Sequence, residues 1–266
     1  MRPCALRRSP PDLRDWRYGS VTATTAGATG DAAPPPRVDW RASLPPVRDQ
    51  GQEPTCAAHA GACVKEAQER GDTGVQCRFS PRFLYTLRAN RPADGMWLRD
   101  LMAILRTNGA CSEAACPYEA GAPLDAVPEA ARAEAAGFRV AGYALVSTAA
   151  EAKAALAAQG PCVLALPVYG DGGDAPDGAF WRPSAPGQAA RGGHAVALVG
   201  YDDARQAFLL RNSWGAGWNG DGHAWFPYAD WGAQWEAWSS VDERGSREPP
   251  KPMPDVVEPS KKKRCC

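Results

Sequence analysis

The chain has 266 residues, 44% of them hydrophobic, enough to bury a sizeable core in one large domain or two small lobes. Thirty basic residues balance thirty acidic ones, so the charge gives no reason to expect a nucleic-acid partner. Nine cysteines at irregular spacing, with no CxxC pair, argue against a zinc site, and no apolar run is long enough to span a membrane.

Residues 1–19 carry charge and scattered aromatics but no apolar core, so no secretory signal is expected. The default is a cytoplasmic protein with mostly free thiols. Residues 20–36 are Thr/Ala/Gly/Pro-rich, which makes 1–36 an N-terminal extension and linker. The packed domain is expected over 37–244, and the Pro- and charge-rich 245–266 as a disordered tail.

The first half of the domain, about 37–120, reads as helical. Ala57, Ala60, Val64 and Ala67 recur at helical spacing over Cys56–Arg70, with Thr55 as N-cap. Ser80 caps a second helix that has Pro81 in its first turn, and Gly109 stops a third over Met96–Thr107. The second half, about 121–244, changes character. Strands are expected over Phe138–Val146, Cys162–Val168, His194–Tyr201, Gln206–Asn212 and Gly222–Tyr228, with one helix over Ala149–Gln159. The fold class is therefore α+β, a helical N-terminal lobe followed by a β-rich C-terminal lobe.

Four residues stand in an order that carries chemistry. Cys56 would begin a helix, where the dipole lowers a thiol's pKa. His194 opens an apolar strand and can act as its base. Asn212 can orient that imidazole without adding charge. Gln50 and the Cys56 backbone N–H can donate to a developing oxyanion. His194 follows Cys56 by 138 residues and Asn212 by 156.

From about Val38 to Tyr228 the chain resembles the papain family of cysteine peptidases. The matching strings are VRDQG at 47–51, SPRFLY at 80–85, CPY at 116–118, GPC at 160–162, GGHAVALVGYD at 192–202 and NSWGAGW at 212–218. The opening PPDLRDWRY at 10–18 is similar to the start of bacterial and archaeal members. The resemblance implies a papain-like two-lobe fold with the active site in the cleft between the lobes. It makes Gln50 the oxyanion glutamine, Cys56 the nucleophile, His194 the base and Asn212 its orienting partner, with Trp214 shielding the Asn–His hydrogen bond. The implied partner of a monomeric enzyme is a peptide or protein substrate, and no metal or organic cofactor is needed.

Several positions depart from the family pattern. Glu53 stands where a disulfide cysteine is usual, Ala57 where an aromatic follows the nucleophile, and Asn219 where glycine is usual. His59, at a position usually aromatic, competes with His194 as a base but reads more simply as packed, and His223 as a strand residue. Hydrolysis of peptide bonds through a Cys56 thioester is the leading reading. Deamidation or acyl transfer on a specific host protein is the second, and a non-catalytic peptide-binding module the third.

Four cations, Lys261 to Arg264, precede Cys265 and Cys266. This end resembles the geranylgeranylated tails of Rab GTPases, and the resemblance implies lipid attachment at Cys265 and Cys266, hence membrane association. In a bacterial protein that would imply delivery into a eukaryotic host. The plain alternative is a solvated tail.

Overall fold

The computed structural model describes residues 3–20, 33–119, 121, 123, 126–170 and 179–243. Cys265 and Cys266, with the rest of the tail, lie outside the described residues, as does most of the linker.

The helical lobe is built around α1 (Cys56–Thr73). Two short helices, α2 (Pro81–Thr86) and α3 (Leu98–Thr107), pack on it, and its other side meets the sheet. Every residue from Cys56 to Glu69 is therefore buried, polar ones included. The buried charges are paired. Lys65 Nζ lies 2.7 Å from Glu69 and also bonds Asp242, while Glu66 takes Arg48. The helix ends at Gly74, which adopts the left-handed C-cap conformation.

Ser80 caps α2 as expected, its Oγ accepting from the Phe83 N–H at 3.0 Å with Pro81 in the first turn. Thr55 does not cap α1. Its Oγ1 pairs with the Tyr118 hydroxyl at 2.9 Å instead, and no N–H of the first turn is spent on it.

A short helix, α4 (Glu129–Ala135), leads into the β lobe. There seven strands form one sheet: β1 (Arg37–Asp39), β2 (Val140–Leu145), β3 (Cys162–Val168), β4 (Gly192–Asp202), β5 (Ala207–Arg211), β6 (His223–Pro227) and β7 (Glu236–Asp242). Their order is β2-β7-β3-β4-β5-β6, with β1 added to β4, and each pairing is antiparallel. Helix α5 (Ala149–Ala158) packs on β3 and β4 and starts with a full capping box between Thr148 and Glu151. Strands β3 and β4 are buried along nearly their whole length, because α1 covers one face and α5 the other. The architecture is thus the expected α+β two-lobe fold. Strands β1 and β7 and helix α4 are additions to the elements read from the sequence. Among the described residues no helix is long and apolar enough to cross a membrane.

Candidate active site

Cys56 is the first residue of α1 and is 1% exposed. Burial pushes its thiol up to about 11. The backbone N–H groups of Ala195, Ala57 and Cys56 itself act against that shift by pointing at the sulfur. Two of these donors are first-turn N–H groups of α1. The third follows His194 directly, so β4 brings His194 to the level of the thiol.

His194 is fully buried, opposite Leu166 of β3. Its Nε2 lies 2.7 Å from Asn212 Oδ1. Ser213 N–H donates to the same oxygen at 2.8 Å, which orients the amide with its oxygen toward the ring. An amide oxygen only accepts, so Nε2 carries the ring proton and Nδ1 is the basic nitrogen of the neutral ring. Trp214 covers this pair, with its ring centroid 4.5 Å from that of His194 and 32° between the planes. Phe180 packs edge-on against the imidazole at 5.6 Å, and Trp214 is 4% exposed. The Asn–His hydrogen bond is therefore shielded by an aromatic wall.

Gln50 is fully buried and tied to the same segment. Its N–H donates to Ser213 O at 2.8 Å, and its Oε1 accepts from Ser213 Oγ at 2.6 Å. Of the two Nε2 hydrogens, one goes to Glu53 O at 2.8 Å, leaving the other for a substrate oxygen. Tyr118 braces the turn by donating its hydroxyl to Gln50 O at 2.8 Å. The fold thus brings Gln50, Cys56, His194, Asn212 and Trp214 to one place from two lobes. Such a set can ionise a thiol, hold a base in one tautomer and stabilise an oxyanion.

A strap from the N-terminal segment runs beside this constellation. Leu6 N–H donates to Gly193 O at 3.2 Å, and Arg7 N–H approaches Met96 O at 3.5 Å. Backbone bridges join Ala5 and Leu6 to Gly193, and Arg7 to Trp97. The approach depends on glycine. A Cβ on Gly95 would lie 1.7 Å from Ala5 O, and one on Gly193 would meet both Trp235 and Leu6 O. Leu6 is 4% exposed and belongs to the same apolar cluster as Cys56, Ala57, Met96 and Ala195. Ser9 N–H donates to Glu236 at 2.9 Å, Arg99 N–H to Ser9 Oγ at 3.2 Å, and the Arg99 guanidinium grips Asp15. Gly95 was not placed by the sequence reading, and Gly193 only as the residue before His194; their clearance for the strap was not foreseen. The signal lay in two glycine-containing strings on opposite lobes, ADGMW at 93–97 and GGH at 192–194.

A family model described as papain family cysteine protease matches residues 34–235. The chain belongs to the papain family of cysteine proteases. Cathepsin B-like CP3 of Giardia intestinalis is 28% identical over 224 residues, 77% of this chain and 70% of that protein. The Gamete and mating-type specific protein A of Dictyostelium discoideum is 27% identical over 194 residues, 70% of this chain but 41% of that protein. The chain spans 64% of a cathepsin L-like proteinase from Phaedon cochleariae. Among solved structures, the cysteine protease xylellain from Xylella fastidiosa superposes with a TM-score of 0.73 at 26% identity, over 92% of this chain and 99% of that one.

Two of the departures from the papain pattern have local explanations. Glu53, in place of a disulfide cysteine, accepts from the Gly121 N–H at 3.2 Å. Asn219 sits at φ 49°, a left-handed conformation that suits glycine and that asparagine tolerates. Seven cysteines fall among the described residues, and all seven are free thiols. His59 is packed, edge-on to Tyr118 with centroids 4.7 Å apart. His223 is buried at the head of β6 with Nδ1 on Asp221 O at 3.0 Å.

Proposed function

We propose that the chain is a thiol-dependent endopeptidase acting through Cys56, and that residues 37–244 form its working domain. The observation that carries this reading is the 2.7 Å bond between His194 Nε2 and Asn212 Oδ1, which reserves Nδ1 for the thiol proton. Cys56 passes its proton to His194 Nδ1, and the thiolate adds to the scissile carbonyl. The oxyanion takes hydrogen bonds from Gln50 Nε2 and the Cys56 N–H. Collapse breaks the C–N bond as His194 returns the proton to the leaving amine. Water then adds to the thioester, losing a proton to His194, and the second collapse releases the acid and restores the Cys56 thiol.

The substrate of this reading is an extended peptide lying along the track now taken by residues 4–7. Support comes from the strap itself, whose backbone hydrogen-bonds Gly193 and Met96 from opposite sides of the cleft. The strap must leave before a peptide enters. Incubation of the protein, with and without residues 1–19, with an unfolded protein substrate under reducing conditions tests the activity by mass spectrometry. Fragments that disappear with Cys56→Ala are expected. An intact substrate heavier by about one mass unit, the change from amide to acid, would instead show deamidation.

A further inference from the structure

Asn212 and His59, one at the end of β5 and the other in the first turns of α1, each hold one nitrogen that no protein group meets among the described residues. Asn212 is 3% exposed and His59 6%. The amide of Asn212 is oriented by two donors on its oxygen, so Nδ2 carries hydrogens with nowhere on the protein to go. His59 Nδ1 faces Thr55 O at 3.1 Å. A carbonyl only accepts, so Nδ1 carries the proton and Nε2 is a bare lone pair. Burial, reinforced by the nearby Arg48 charge, holds the His59 pKa down to about 3 and keeps the ring neutral.

Both residues line one small cavity of about 20 Å³. A water needs room of roughly 10–15 Å³ and two or more polar partners. The charged and hydroxyl side chains on its wall have protein partners of their own. Arg48 is taken by Glu66, Glu113 and Phe79 O, and Glu66 by Arg48 and the Phe79 N–H. Arg211 donates to Pro45 O and Ser213 Oγ to Gln50.

We propose that one water in this cavity accepts from Asn212 Nδ2 and donates to His59 Nε2, making His59 a positioning residue for the Asn212–His194 pair. This inference rests on the reading of Asn212 and His194 as catalytic partners. His59 touches no reacting atom. It acts by holding the far end of the amide whose near end holds the imidazole.

His59→Phe keeps an aromatic edge against Tyr118 and removes the acceptor, while His59→Gln supplies an oxygen acceptor in its place. In the active protein, kcat/KM for a peptide should fall about tenfold in His59→Phe with KM unchanged, the size of one hydrogen bond, and recover in His59→Gln. In a Cys56→Ala background, carbon-13 signals of the chain's three histidines should show His194 titrating at lower pH in His59→Phe than in its parent. An unchanged kcat/KM with an unmoved His194 titration overturns the proposal, as does a loss that glutamine does not rescue. A high-resolution crystal structure of the wild type should show an ordered water within hydrogen-bond reach of both nitrogens, and its absence overturns the proposal even where the variants fail to fold. A wild type that cleaves no peptide would sink the peptidase reading, and the water and the titration would still decide the bridge.

Discussion

His59 also predicts how stability responds to acid. The unfolded chain protonates this ring near 6.5, while the folded chain resists down to about 3. Between those values the unfolded state binds the extra proton, so this contribution is complete above pH 6.5 and is lost as the pH falls toward 3. At pH 5 the loss is about 2 kcal/mol. Urea unfolding of wild type and His59→Phe at pH 7 and pH 5 should show the difference moving by about that much in the variant's favour. A difference independent of pH would mean that the ring is not held neutral. Gln50, Cys56, His194 and Asn212 were legible in the sequence because each is defined by its chemistry and its order along the chain. The place of His59 was not, since its lone pair acquires meaning only from the Thr55 carbonyl and the cavity beside Asn212.

At the scale of elements, α1, α2, α3, α5 and β2 to β6 were readable from period and punctuation, with ends differing by a few residues. Strand β7 was not. Its residues Glu236–Ser240 are all buried, so the alternation of a half-buried strand is missing. Its serines are satisfied by partners remote in sequence, Ser239 by Gln159 and Ser240 by Gln68. The strap was equally hidden, because a segment held by glycine clearances and backbone bonds has no period to read. Its consequence is measurable. The Cys56 thiol is pushed up to about 11 chiefly by burial, and removal of residues 1–19 admits water to the cleft. Alkylation by iodoacetamide at pH 7 should then accelerate about threefold for each unit of thiol pKa recovered, the gain in thiolate being partly offset by its lower nucleophilicity. Equal rates with and without the segment would show that the strap does not cover the thiol in solution.

Over the whole molecule, α1 is the element that both lobes share: it packs on β4 and β3, and its side chains add bonds to β7. Lys65 lies between Glu69 on its own helix and Asp242 on β7, and Gln68 reaches Ser240 beside it. Lys65→Ala leaves two buried carboxylates without their cation and should cost about 3–5 kcal/mol in denaturant unfolding. Lys65→Met, which fills the same space, leaves those carboxylates too, and a cost equal to that of alanine would assign the effect to charge rather than packing. The expectations about catalysis depend on Cys56 being the reacting thiol among nine cysteines. The direct test is intact-mass and peptide-mapping analysis after treating the reduced protein, without residues 1–19, with an epoxysuccinyl peptide probe. One adduct, placed on Cys56, abolished by Cys56→Ala and strongly slowed by His194→Ala, is the predicted result. Equal labelling of wild type and Cys56→Ala would contradict it.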